Sequence, residues 1–112
     1  MTSAIIANLE KLLDGPRDGA LLRYSLGNEH LKAGDCAQAA SRLREALERD
    51  ANYSAAWKLL GKALEEGDQA QEALTAYERG IIVAEGKGDV QAAKEMRVFA
   101  RRLQKQLPAP DG

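Results

Sequence analysis

One pattern occurs twice in this chain, as LGNEHLKAGDCAQAASRLREAL at residues 26–47 and as LGKALEEGDQAQEALTAYERGI at residues 60–81. Both copies begin with Leu-Gly, carry Gly-Asp in the middle and continue with apolar residues at helical spacing. Their starts lie 34 residues apart. Self-similarity at a fixed period is the signature of stacked supersecondary units. The repetition therefore predicts a fold built from two similar units, each with two helices.

Small residues recur at the same places in both copies. The identical positions that matter most for packing are Leu26 and Leu60, Gly27 and Gly61, and Ala39 and Ala73. A glycine inside a helix costs about 1 kcal/mol relative to alanine. Its recurrence predicts that a neighbouring helix needs the space, and the alanines supply the matching small surface on the second helix of each unit.

Helical periodicity and helix-ending residues run along the whole chain, whereas strand signals are almost absent. The sequence predicts one domain over residues 1–107 and a disordered tail at 108–112. Within the domain it predicts an N-terminal helix at 3–14, repeats at 20–53 and 54–87, and a C-terminal capping helix at 89–107. The predicted punctuation includes Asp18 as a helix cap and Gly-Asp pairs at Gly34-Asp35 and Gly67-Asp68 that stop one helix and cap the next.

Composition limits the classes of function. The chain has 16 basic and 17 acidic side chains, a net charge of -1, so no overall charge favours nucleic acid or a membrane surface. Cys36 is the single cysteine, which excludes an intrachain disulfide and fits a reducing compartment. The N-terminal residues do not resemble a signal peptide, and no apolar run approaches the length of a membrane span. We expect a cytoplasmic protein.

The repeated positions match a known motif. In the second unit its places are filled by Trp57, Leu60, Gly61, Ala73 and Tyr77. The first unit keeps the Leu-Gly pair and the alanine, but has Arg23 at the tryptophan place and His30 at the tyrosine place. The pattern resembles the tetratricopeptide repeat. That resemblance implies an all-α fold, an α-solenoid of about six antiparallel helices in stacked helical hairpins, with no cofactor.

Two units are few for this architecture, because stacked repeats usually need three or more to be stable. The two remaining predicted helices can stabilise the pair by covering its two ends. We expect the N-terminal helix to cover the first unit, with Arg23 facing it, and the C-terminal helix to cover the second unit as a cap.

No catalytic motif is found. The stretch GIIVAEGKG at residues 80–88 has the wrong spacing for a phosphate loop and follows a helix instead of a strand. His30 is the single histidine, so no cluster of histidines can bind a metal. Glu65 and Glu66 point about 100° apart on a helix and do not form one carboxylate site. We therefore predict no catalytic residue, no metal site, no cofactor and no enzyme activity.

The resemblance also indicates a binding surface, since in this family the first helices of successive units line a concave groove. By register, the candidate groove residues are Tyr24, Asn28 and Leu31 from one helix and Lys58, Lys62 and Glu65 from the next. Each set has i, i+4, i+7 spacing and therefore shares one helix face. An aromatic ring, an amide and two ammonium groups suit an extended peptide with an acidic feature. The alternative that both lysines are ordinary solvated side chains stays open.

A more specific family reading fails on the residues. Chaperone-binding members hold a C-terminal carboxylate through Lys and Asn one turn apart, followed by a second Asn. Asn28 matches the first Asn, but Tyr24 stands at the Lys place and Leu59 at the place of the second Asn. We therefore do not predict binding of a chaperone tail.

The last predicted helix offers a second surface. Its basic face consists of Lys94, Arg97, Arg101 and Lys105. This face suits an acidic partner or nucleic acid, although no aromatic residue is interleaved to stack on bases. The simpler interpretation is a cap whose cations are favourable near a helix C-terminus.

The resulting functional prediction is a non-enzymatic protein–protein interaction module, an adaptor or scaffold, that binds an unidentified partner peptide, acidic in part, in the groove. The alternatives are a self-associating structural protein and a binder of nucleic acid or an acidic partner through the basic helix. We expect a monomer or weak homodimer without membrane contact, and we do not expect nucleic acid as the main partner.

Overall fold

Six helices make up the protein in a computed structural model that describes residues 3–108. They are α1 (Ala4–Glu10), α2 (Ala20–Lys32), α3 (Cys36–Arg49), α4 (Ser54–Glu66), α5 (Ala70–Lys87) and α6 (Val90–Gln106). No strand occurs among the described residues, so the all-α prediction is confirmed. Residues 109–112 of the predicted tail lie outside the described part. None of the described helices combines the length and apolarity that a membrane crossing requires.

The helices form consecutive hairpins. α2 packs on α3 and α4 packs on α5, and α3 also packs on α4 to join the two units. α6 packs on α5 and touches α4, while α2 touches α4. The first helices of the two units and α6 therefore lie side by side, and we call the surface that they share the groove face. The predicted helical-hairpin solenoid is confirmed, with α6 in the place that the first helix of a third unit would take.

Gly27 and Gly61, the glycines at the same place in both copies, mark where the two helices of each hairpin cross. A Cβ atom added to Gly27 would lie 2.6 Å from Cγ of Leu43, and one added to Gly61 would overlap the ring of Tyr77. Leu43 is 0% exposed and Tyr77 1%, so neither can move into solvent. Glycine is required here because the partner side chain occupies the volume that any larger residue would need.

The N-terminal end has a small core of its own. Ile6 of α1 packs with Leu22 and Leu26, apart from the main core that spans α3 to α6. Ser3 caps α1 by accepting hydrogen bonds from the N–H groups of the second and third helical residues. The helix ends at Glu10, earlier than the predicted 3–14, because the chain then enters a series of turns in which Asp14 has a φ of +64°.

The turns inside the two hairpins differ from the predicted punctuation. In the first unit Gly34 is left-handed, with a φ of +83°, and Asp35 caps α3 by accepting the N–H of Gln38 at 3.1 Å. In the second unit the left-handed residue is Asp68, with a φ of +62°, and it caps nothing. The left-handed residues are thus 34 positions apart although the Gly-Asp pairs are 33 apart. The backbone keeps the repeat period, and the amino acids are displaced within it.

The last helix, α6, resembles the first helix of each unit except at one position. Gly27 and Gly61 are the eighth residues of α2 and α4, and the eighth residue of α6 is Arg97. Arg97 is exposed and its guanidinium pairs with Glu85 of α5. Asp89 caps this helix by accepting the N–H of Ala92 at 3.2 Å. No helix packs on the outer side of α6 within residues 3–108, so the stack ends there.

Candidate peptide-binding groove

A recess on the groove face joins residues from three helices. It has a volume of about 190 Å³ and is lined by Tyr24 from α2, by Ala55, Lys58, Leu59 and Lys62 from α4, and by Glu95 and Phe99 from α6. The side-by-side arrangement of α2, α4 and α6 produces it, because each helix contributes residues from the same exposed stripe. Three of the six predicted groove residues thus line one depression.

A second recess adjoins the first along α4 and α6. It has a volume of about 370 Å³ and is lined by Lys62, Glu65, Glu66, Tyr77, Phe99 and Arg102. Lys62 and Phe99 line both recesses and therefore lie on the ridge between them. The groove face consequently offers two neighbouring compartments, one largely apolar and one largely charged.

Lys58 is held by α6. Its Nζ lies 2.9 Å from Oε2 of Glu95, and both side chains are about one third exposed. The hydrogen bond from Lys58, helped by one from Gln91, holds the pKa of Glu95 below its usual range. The charge of Lys58 is therefore already balanced within the protein.

Glu65 also contacts neighbouring helices. Its Oε2 accepts a hydrogen bond from Arg102 at 2.8 Å and its Oε1 accepts one from the hydroxyl of Tyr77 at 3.0 Å. Burial raises the pKa of Tyr77, and the nearby charge of Glu65 raises it further. Arg102 in turn lies over the ring of Phe99, 5.4 Å from its centroid. Glu65 thus connects α4 to both α5 and α6, which fixes the floor of the second recess.

The wall formed by α2 is aromatic. The ring of Tyr24 stacks on that of Tyr53, with centroids 4.9 Å apart. Burial, reinforced by the neighbouring Tyr24, raises the pKa of Tyr53. Since two stacked rings restrict each other, Tyr24 presents a preformed apolar surface to the recess.

The remaining predicted groove residues differ in exposure. Asn28 and Leu31 are half-buried on α2, and Leu31 packs against the main core. Lys62 is exposed and forms no ion pair with any described residue. The residues that sequence reasoning missed are Leu59, Glu95, Phe99 and Arg102. The repeat register would not have found the last three, because it assigns the groove places of α6 to Lys94, Val98 and Arg101, each one residue earlier.

A charge cluster surrounds Arg23, whose side chain is 7% exposed. Its guanidinium binds Asp18 at 2.6 Å and Glu45 at 2.9 Å. The hydrogen bond from Arg23, with a second from the N–H of Asp14, holds the pKa of Asp18 far below its usual range. Burial alone would raise the pKa of Glu45, but hydrogen bonds from Arg23 and Arg42 outweigh it and the pKa is lowered. Two predictions are thereby corrected.

The first correction concerns Asp18, which binds Arg23 instead of capping α2; that helix begins after Gly19 without a side-chain cap. The second concerns Arg23, which was expected to face the N-terminal helix. Its charge partners lie in the turn after α1 and on α3, so the cluster joins the N-terminal turn to the first unit.

All four residues of the predicted basic face are exposed. Arg97 pairs with Glu85, whereas Lys94, Arg101 and Lys105 form no ion pair within residues 3–108. This face lies outside the two recesses, and whether it binds anything stays a prediction.

A further depression lies between α3 and α5 and shares no lining residue with the two recesses. Its volume is about 630 Å³, with Leu60 and Leu64 among its lining residues and Trp57 beside them. The indole N–H of Trp57 donates to the carbonyl of Ala51 at 2.8 Å. His30 is buried on α2, and no cluster of three or more metal-binding side chains occurs in the described part of the chain.

The comparisons with known proteins agree on one family. A tetratricopeptide repeat family model matches residues 24–90. A TPR repeat-containing protein of Pseudomonas aeruginosa is 48% identical over 99 residues, which cover 88% of this chain and 94% of that protein.

Solved structures give the same result. A protein of Bordetella parapertussis, known from its solution structure, has a TM-score of 0.81 and 39% identity, covering 94% of this chain and 91% of its own. A tetratricopeptide repeat domain protein of Salinibacter ruber has a TM-score of 0.77 and 27% identity, covering 88% of this chain and 99% of its own. The chain belongs to the tetratricopeptide repeat family, whose members generally act as non-enzymatic protein–protein interaction modules.

Proposed function

We propose that this protein is a non-enzymatic adaptor of the cytoplasm that binds an extended peptide segment of a partner protein on the groove face. The observation that carries the proposal is the recess in which Tyr24, Lys58 and Lys62 meet Phe99 of α6. An apolar depression with a few convergent polar groups is the usual form of a ligand site. The single cysteine, Cys36, supports a reducing compartment.

The groove is preformed in this proposal. The ion pairs Lys58–Glu95 and Glu65–Arg102 each join α4 to α6 across the groove face. The stacked Tyr24 and Tyr53 fix the opposite wall. Side chains that are already ordered lose little conformational entropy when a peptide binds, so a small contact area can still give useful affinity.

The test is a comparison of groove variants with matched variants elsewhere. A partner is first isolated from native lysate by cross-linking and identified by mass spectrometry, and its affinity is then measured by calorimetry. Ala55→Arg, which fills the recess, and Lys62→Glu, which reverses its free cation, are expected to abolish or strongly weaken binding. The matched controls, Ala37→Arg on the exposed side of α3 and Lys105→Glu near the C-terminal end of α6, are expected to bind as the wild type does.

A second candidate function has one observation in its favour. The cations Lys94, Arg101 and Lys105 are exposed without ion pairs among residues 3–108, whereas two of the three groove cations are paired. If Lys94→Glu and Arg101→Glu destroy the complex while Ala55→Arg leaves it intact, the partner binds the basic face. Nucleic acid as that partner would give an affinity that falls steeply as salt rises.

A further inference from the structure

Most of the positive charge that lines the two recesses is balanced by nearby carboxylates. Of the three cations that line the two recesses, Lys58 is bound by Glu95 and Arg102 by Glu65. Lys62 alone forms no ion pair with a residue of the described chain. A carboxylate from a partner would have to compete with an existing pair at the other two cations. Lys62 is therefore the cation to which an added carboxylate would bind most favourably.

The recess beside Lys62 has the size of one side chain. Its volume is about 190 Å³, and its apolar walls are Tyr24, Leu59 and Phe99, all three partly exposed in the free protein. A cavity of about 150 Å³ with apolar walls holds one benzene ring. The recess can thus accept a single Phe, Tyr or Leu side chain, and its depth comes from three helices that are already held together.

The neighbouring recess limits how much acid the groove accepts. Successive residues of an extended chain advance by about 3.3 Å and alternate in direction. A side chain anchored in the first recess therefore places the next one or two residues at Lys62, which lies between the recesses. Beyond it, Glu66 is exposed and unpaired within residues 3–108. A second or third carboxylate of the partner would meet that negative charge.

We propose that the groove selects an extended segment with one bulky apolar side chain and one carboxylate within two residues of it, and that it discriminates against a run of acidic residues. The proposal rests on the proposed function, because it specifies the ligand of the same groove. The carboxylate can belong to an Asp or Glu side chain or to the partner's C-terminus, since both present the same anion to Lys62.

A peptide double cycle tests the proposal. Four octapeptides, acetylated and amidated in a common Gly/Ser frame, carry Phe-Asp, Phe-Asn, Ala-Asp or Ala-Asn at their centre. They are titrated into ¹⁵N-labelled protein, and affinities are read from amide chemical shifts. We expect replacement of Phe by Ala to weaken binding at least about tenfold, and replacement of Asp by Asn to weaken it about two- to fivefold.

Protein variants assign the carboxylate effect to one residue. In Lys62→Gln the Phe-Asp and Phe-Asn peptides are expected to bind equally, whereas in Lys105→Gln, near the end of α6, the difference between them should persist. A further pair of peptides ends at Phe with either a free carboxylate or an amide. If the free C-terminus increases the affinity more than the internal Asp does, the preferred carboxylate is that of the C-terminus. If the internal Asp increases it more, the preferred carboxylate is that of the side chain.

Several results would overturn the proposal. The first is equal binding of the Phe-Asp and Ala-Asp peptides, and the second is a preference for Asp that survives in Lys62→Gln. The third is tighter binding of a peptide with four consecutive Asp residues than of the Phe-Asp peptide. The fourth is the lack of a saturable shift with the Phe-Asp peptide in the millimolar range. The first three would leave the proposed function intact if the shifts stay around Tyr24 and Lys62. Shifts confined to Lys94, Arg101 and Lys105 would overturn both.

Discussion

The two repeats fill the same position with opposite chemistry. The fourth residue of the first helix is Arg23 in one unit and Trp57 in the other. Arg23 is buried among carboxylates from the N-terminal turn and α3, whereas Trp57 packs beside Gly80 and donates one hydrogen bond to Ala51. In each unit this side chain contacts both the second helix of its own hairpin and the segment before the unit. The first unit makes these contacts through ion pairs, and the second through packing and one hydrogen bond.

The comparison extends to the helix crossings, where the largest effect is expected. Gly61→Leu should destabilise the protein by about 3 kcal/mol or more, because the new side chain would overlap the buried ring of Tyr77. Gly27→Leu should cost less, since Leu43 can change rotamer more easily than a buried ring can move aside. Urea unfolding followed by circular dichroism measures both.

Gly86 supplies the control for these glycine substitutions. It lies in α5, and a Cβ added there meets nothing within 4 Å. Gly86→Ala should therefore stabilise the protein by about 0.5–1 kcal/mol through helix propensity alone. Equal costs at Gly27 and Gly61 would show that the two crossings are equivalent, and an unchanged midpoint for Gly61→Leu would show that the helices do not cross there.

The charge cluster of the first repeat should make the protein sensitive to acid. Because Arg23 lowers the pKa of Asp18 in the folded state, the ionised carboxylate stabilises the fold above its unfolded pKa of about 4, and this contribution is lost as pH falls towards the folded pKa. Asp18→Asn should therefore be less stable than the wild type at pH 7, and the difference should shrink towards pH 2.

Urea midpoints at pH 7, 5, 3 and 2 measure this convergence. The control is Asp35→Asn, because asparagine caps a helix about as well as aspartate does, so α3 should keep its cap. A difference between Asp18→Asn and the wild type that is the same at every pH would contradict a role for the charge, and would point to packing alone.

The hairpin turns allow a smaller test of the repeat period. Asp68 has a left-handed backbone, which costs a residue with a Cβ about 1 kcal/mol, whereas glycine adopts it freely. Asp68→Gly should therefore raise the free energy of unfolding by up to about 1 kcal/mol and make the second turn like the first. Gly34→Asp should lower it by a similar amount. Thermal unfolding of both variants tests this, and a loss of stability in Asp68→Gly or a gain in Gly34→Asp would refute the assignment.

The smallest expected effect lies on the groove face. Lys62→Glu should stay within about 0.5 kcal/mol of the wild type, as is usual for an exposed residue that forms no ion pair within residues 3–108. Lys58→Glu should lower the melting temperature measurably, because it places two carboxylates together where an ion pair now joins α4 to α6. Adding Glu95→Lys should restore stability, and failure of that rescue would mean that the pair does not stabilise the packing of α6.

Sequence reasoning recovered the elements that depend on the repeat period, and it failed where contacts cross between distant parts of the chain. The Leu-Gly pairs predicted the hairpins because glycine at a helix crossing is a local signal. Asp18 was predicted to be a cap because the sequence cannot show that Arg23, once buried, needs its carboxylate. The ion pair of Lys58 was not predicted because its partner, Glu95, is 37 residues away. The recess residues Glu95 and Phe99 of α6 lie one residue beyond Lys94 and Val98, to which the repeat register assigns the groove places, so that register could not have predicted them.

Arg97 has a further consequence, for the length of the structure. A repeat solenoid is open at its ends, and an exposed end can act as a template on which another copy stacks, a head-to-tail contact that extends into fibres when the rotation does not close. In this protein the eighth residue of the terminal helix is an exposed arginine where each internal unit has a glycine. An incoming helix would meet a guanidinium held by Glu85 instead of a surface that admits close approach. We expect Arg97 to disfavour such stacking, and a design that lengthens the array by another hairpin would restore glycine at this position first.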